Sequence, residues 1–123
     1  MSEANVEAIR GVYERWSEGD FRADVELFDP EMELVLSAEF PDTGSYRGAE
    51  ATSEYMRQFL EPWERLTIAG EELTDAGDRV IAMVLQSGVG RSSGVPASDR
   101  YFQVWTFRDG RVIRLENFRD RPD

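Results

Sequence analysis

The sequence predicts an α+β fold, with three N-terminal helices packed on a curved, mainly antiparallel sheet. Three observations predict it. Apolar residues recur at helical spacing through the first half of the chain. From Leu66 onward the apolar period is two. Asp109-Gly110 separates two arms rich in aromatic and β-branched residues, and that pair tolerates the positive φ of a tight hairpin turn. Helices first and strands afterwards indicate α+β rather than alternating α/β. A twisted antiparallel sheet wrapped around helices leaves a cone-shaped cavity.

Residues 3–18 predict the first helix, with Val6, Ile9, Tyr13 and Trp16 on one stripe, Val12 widening it, and Ser2 able to cap the start. Gly19-Asp20 ends it and opens a short second helix carrying Phe21, Val25 and Phe28, which Pro30 closes. Met32, Leu34 and Leu36 alternate as a strand. Residues 37–47, with Pro41 and Gly44, predict a loop in which Phe40 and Tyr46 need cover. The third helix runs from Ala49 to Glu61, burying Tyr55, Met56, Phe59 and Leu60, and Pro62 stops it. Leu66, Thr67 and Ile68 begin a long strand that Gly70 bends or bulges. Asp75 to Asp78 is a turn, Val80 to Val89 an apolar strand, and Arg91 to Pro96 a link into the final hairpin, Asp99 to Phe118. Both faces of that hairpin carry apolar residues.

Composition narrows the chemistry. At 123 residues the chain predicts a single domain, 1–123, able to bury roughly two thirds of its unfolded surface. A 41% hydrophobic fraction with three Trp argues against disorder. A net charge of −11 argues against nucleic acid and anionic membranes as partners. No apolar run is long enough to span a bilayer and the N-terminus is not a signal peptide, so a cytoplasmic location is expected. The chain has no His, Cys or Lys. That removes Ser-His-Asp and Cys-His nucleophile systems, Schiff-base lysines, and imidazole- or thiolate-bound metals. No metal or cofactor is expected. Proton transfer would fall to Asp, Glu or Tyr, since Arg stays protonated.

Two motifs carry no site. Gly88 to Gly94 is glycine-rich but joins two strands, whereas a phosphate loop opens a helix. Glu71 and Glu72 are adjacent on a strand and point to opposite faces. Asp99 and Arg100 read as a solvated pair at a strand start.

Four stretches are similar to the SnoaL-like group of the nuclear-transport-factor-2-like superfamily. They are Trp16-Ser-Glu-Gly-Asp20, Phe28-Asp-Pro-Glu-Met-Glu33, Tyr46-Arg-Gly48, and Phe107-Arg-Asp-Gly-Arg-Val-Ile113 with the following Leu115-Glu-Asn-Phe-Arg-Asp120. The resemblance covers nearly the whole chain and its order of elements. It implies a cone-shaped barrel, frequent dimers, and a pocket between helices and sheet. The group includes ketosteroid isomerases, polyketide cyclases, limonene-type epoxide hydrolases, dehydratases and non-catalytic binding domains, and fold alone does not choose among them.

The resemblance also implies that Tyr101, Gln103 and Trp105, with Leu115, Asn117 and Arg119, point into the cone. The isomerases place an acidic donor near Gln103, and the epoxide hydrolases a catalytic Asp near Asn117. Both positions here are amides, which orient an oxygen but take no proton at neutral pH. The first-helix Tyr of the isomerases falls near Val12, and Tyr13 lies roughly 100° further around the helix. The expected ligand-binding residues are Trp16, Tyr46, Met56, Phe59, Trp63, Tyr101, Gln103, Trp105, Asn117 and Arg119. Core packing is the plainer reading for Trp16, Met56, Phe59 and Trp63. Tyr46 and Tyr101 divide evenly, Gln103 and Asn117 line the pocket or meet a partner or edge, and Arg119 stands at the mouth or in a surface ion pair. Glu33 and Asp42 are the candidate catalytic carboxylates. The expected ligand is small and largely apolar, with a carbonyl or hydroxyl. An isomerase-, cyclase- or hydrolase-like enzyme, a non-catalytic binder and a dimerisation module all stay open. A homodimer is expected through a sheet-face patch of Val84, Phe102, Val104 and Phe118.

Overall fold

A computed structural model describes residues 3–37 and 44–122. Within them the order is α1 (Glu3–Trp16), β1 (Phe28–Leu36), β2 (Gly44–Arg47), α2 (Ala49–Leu60), β3 (Trp63–Ala76), β4 (Arg79–Gly90), β5 (Pro96–Arg108) and β6 (Arg111–Phe118). The strands form one sheet in the order β2-β1-β6-β5-β4-β3. All neighbours are antiparallel except β1 and β6, which pair in parallel. The α+β class and the mainly antiparallel sheet agree with the sequence. The sheet does not close into a barrel, because β2 and β3 remain its edges.

The described residues form two helices rather than three. Residues 20–24 are irregular and 25–27 a turn. Hydrogen bonding explains why the Phe21-Val25-Phe28 stripe does not become a helix. The Asp24 carboxylate accepts from the Glu26 and Leu27 amides, and the Asp20 carboxylate from the Arg22 amide. These side chains compete with a helical ladder for the same donors. The carbonyls go elsewhere too: Arg111 donates to Val25 and Phe28, and the Val112 amide to Leu27. Val25 is left 77% exposed. The predicted loop 37–47 also differs, since residues 44–47 pair with β1 as β2.

The turns follow the sequence. Asp109 and Gly110 both have positive φ, 53° and 78°, and close the β5–β6 hairpin. In β3 the register shifts between Gly70 and Glu72, leaving Glu71 bulged. Glu71 then pairs with Arg100 and Glu72 with Arg121, so the two acids serve separate partners.

The inner face of the sheet packs against α1. Ile9, Val12, Tyr13 and Trp16 meet Val80, Ala82, Val84, Tyr101, Trp105 and Val112 in one cluster. Val84 opposes Tyr101 and therefore belongs to this inner face, not to the outer patch. The outer face carries Ile81, Met83, Phe102, Val104 and Phe118 in register across β4, β5 and β6. Arg121 reaches back over it, with its guanidinium 6.0 Å from the Phe102 ring centre and bonds to Glu72 and Thr74.

Candidate functional site

Helix α2 positions the site by what it fails to bury. Tyr55, Met56, Phe59 and Leu60 fall on one stripe, yet none is buried. They face a cavity of about 540 Å³. Opposite them stand Met32, Leu34 and Leu36, the inward positions of β1, and Trp16, Phe21 and Phe28 wall the α1 end. One polar row crosses this apolar space. Period-two alternation on β5 points Asp99, Tyr101, Gln103 and Trp105 inward, with Asn117 of β6 opposite Gln103.

The polar side chains of the row are hydrogen-bonded in three groups. The Trp105 indole N–H donates to the Tyr13 hydroxyl at 2.8 Å, and Tyr13 donates to Gln103 Oε1 at 2.7 Å. Gln103 Nε2 donates to Asn117 Oδ1 at 3.1 Å. Among the described residues Gln103 is the buried polar residue of the core, and these bonds satisfy it. Nearer the mouth, Tyr101 donates to Gln86 Oε1 at 2.8 Å. Arg119 Nη1 donates to both Asp99 oxygens, at 2.8 and 2.7 Å. Burial pushes the Tyr13 hydroxyl well above its ordinary 10.0, against the opposing effect of the Trp105 bond. Burial raises Tyr101 as well, with Tyr55 adding to it. Both phenols stay protonated donors at neutral pH.

Trp16, Met56, Phe59, Tyr101, Gln103, Trp105, Asn117 and Arg119 therefore come together around the cavity. Two of the expected residues do not join the lining. Tyr46 packs at a tilt against Tyr55, ring centres 4.8 Å apart, and is not part of the lining. Trp63 lies at the start of β3 against Gly88, where an added Cβ would meet its ring at 2.7 Å. Glu33 is on the outer face: Met32 and Leu34 turn inward, so Glu33 points out toward Arg114 and Arg47, at 3.8 and 3.9 Å. Asp42 lies outside the described residues. Glu116 is likewise outward, beside Arg114.

Sequence reasoning missed Tyr13, Gln86 and Asp99. Tyr13 read as core, although a buried phenol needs a partner and the buried Gln103 amide needs one too. Asp99 read as a solvated partner of Arg100. It sits two residues before Tyr101 on the inward parity and, among the described residues, is the one carboxylate lining the cavity. Among the described residues no cluster of acids could hold a metal ion, and no helix is long and apolar enough to cross a membrane.

A family described as the SnoaL-like domain matches residues 9–115. No curated protein matches the chain in sequence. Among solved structures, a nuclear-transport-factor-2-like protein from Burkholderia thailandensis is 28% identical with a TM-score of 0.80, covering 97% of this chain and 92% of that one. TerC, crystallised with polyporic acid, is 24% identical with a TM-score of 0.78, covering 94% and 91%. A candidate SnoaL-like polyketide cyclase from a Jannaschia species is 20% identical with a TM-score of 0.77, covering 93% and 83%.

Proposed function

The chain belongs to the SnoaL-like domain family, and on that premise we propose that it binds a small, largely apolar ligand bearing a carbonyl or hydroxyl oxygen, without transforming it. One observation carries this reading. The apolar stripe of α2 is left half-buried over an apolar cavity, a cost that a ligand covering Met56 and Phe59 would recover. The Gln103–Asn117 pair supplies a hydrogen-bonding group that orients an oxygen. Binding is preferred to turnover because amides take no proton and both Asp99 oxygens are engaged by Arg119. That TerC, a protein of the same fold, was crystallised with polyporic acid supports an organic small molecule as the ligand class.

A thermal-shift screen across steroids, terpenoids and polyketide-like aromatics tests it. Some of these should raise the melting temperature and be recovered unchanged. Met56→Trp should fill the cavity and weaken each hit more than about tenfold, roughly 1.4 kcal/mol, with the fold intact. Conversion of a hit that disappears in Asp99→Asn would make the protein an enzyme instead.

The outer face is proposed to join two copies. Ile81 and Val104 are already buried within one chain, and the half-buried Met83, Phe102 and Phe118 around them make the apolar surface that a two-fold partner would cover. Arg114 and Glu116 flank it. Sedimentation equilibrium should return twice the 14.1 kDa chain mass at micromolar concentration, and a 14.1 kDa species would refute the dimer.

A further inference from the structure

The cavity's polar row has a direction, and one side chain sets it. An indole N–H donates and never accepts. Trp105 must therefore give its proton to Tyr13, 2.8 Å away. The Tyr13 hydroxyl spends a lone pair on that bond and needs an acceptor for its own proton. Gln103 Oε1 at 2.7 Å is the acceptor. Turning the Gln103 amide around would leave the buried phenol proton without a partner, at the desolvation cost of an unmade bond. With Oε1 committed to Tyr13, Gln103 presents Nε2 to Asn117, which meets it with Oδ1 at 3.1 Å. Asn117 Nδ2 is then the free end of the row, and Asn117 lines the cavity. Of the other acceptors in the lining, the Asp99 carboxylate is held by Arg119 and Gln86 Oε1 takes the Tyr101 proton, while the hydroxyls of Thr52, Ser53 and Tyr55 belong to α2.

We infer that the cavity offers a hydrogen-bond donor at Asn117, and so selects ligands whose oxygen is a pure acceptor, such as a ketone or quinone carbonyl, over the corresponding alcohols. This rests on the ligand-binding reading above and narrows its ligand class. A carbonyl oxygen takes the Asn117 proton and leaves nothing unpaired. An alcohol in the same place accepts equally well but brings a second proton, and burying that proton unpaired weakens binding. Tyr13 lies outside the cavity lining and acts through Gln103 and Asn117, so it is a positioning residue.

Matched pairs test the inference: fluorenone with fluorenol, and α-tetralone with α-tetralol, titrated calorimetrically. The wild-type protein should bind each ketone about fivefold or more tighter than its alcohol. Asn117→Ala should bring the ratio near one. Asn117→Asp should invert it, because a carboxylate still accepts from Gln103 and now offers an acceptor to the ligand. Tyr13→Phe should narrow the ratio by raising alcohol affinity, since Gln103 and Asn117 become free to reverse. Mere structural damage would weaken both ligands. Equal affinity for ketone and alcohol in the wild type, or a ketone preference retained in Asn117→Asp, overturns the donor assignment and leaves the binding reading standing. Failure of both pairs to bind any variant removes the binding reading and this inference with it.

Discussion

Trp105→Ala should cost roughly 3–5 kcal/mol of folding free energy, the range for truncating a large aromatic in a core. Trp105 is 0% exposed. Its ring meets Tyr13 edge-on at 6.0 Å, Trp16 at 5.6 Å and Phe28 in a stack at 5.9 Å. It thus joins α1, the irregular segment after it, and the middle of the sheet. The substitution also removes the proton that Tyr13 accepts. Typical domains hold about 5–15 kcal/mol in all, so the variant should be marginal at 37 °C. Chemical denaturation followed by tryptophan emission measures the loss; Trp16 and Trp63 remain as reporters. An unchanged midpoint would mean that the ring contributes no net packing.

Gly70→Ala should cost roughly 1–3 kcal/mol, the usual cost of overpacking. A Cβ at residue 70 would stand 2.6 Å from Tyr13 Cδ2 and 2.9 Å from its Cγ, with Leu73 Cδ1 at 3.1 Å. The phenol cannot swing aside cheaply, because its hydroxyl is held by Trp105 and Gln103. Gly11→Ala is the contrasting case. Residue 11 is in α1 with nothing within 4 Å of an added Cβ. Alanine there should stabilise by up to about 1 kcal/mol through helix propensity. Opposite signs for the same chemical change, read from denaturant midpoints, check the assignment; a neutral Gly70→Ala refutes it.

Most of the strand and helix pattern was readable because period carries it. Alternation along β5 put Tyr101, Gln103 and Trp105 on one face, and Asp109-Gly110 marked the hairpin turn. The same alternation assigned Glu33 to the face opposite Met32 and Leu34, which is where it lies; nominating it as a cavity acid went against that signal. The segment after α1 was misread because its apolar spacing is helical while its hydrogen bonds are taken by Asp20, Asp24 and Arg111. Periodicity records which side chains are apolar, not which donors are already engaged. β2 escaped because it is short and gains its bonds only from β1. The Tyr13–Gln103 contact joins residues 90 positions apart, and no local rule announces such a pairing.

The place of β6 in the sheet bears on how the chain reaches this structure. It is the final strand in sequence, yet it lies between β1 and β5. Until residues 111–118 are made, the β1–β2 pair and the β5-β4-β3 meander share no ladder of backbone bonds. The link to β1 must close a loop across most of the chain, and such distant pairings are paid for in entropy before they are rewarded. Local strand pairing can proceed within each part during synthesis. The two parts join through the sheet only when β6 slides between them, so assembly is expected to be slow for a domain of this size, with residues 28–118 all needed before the sheet is complete.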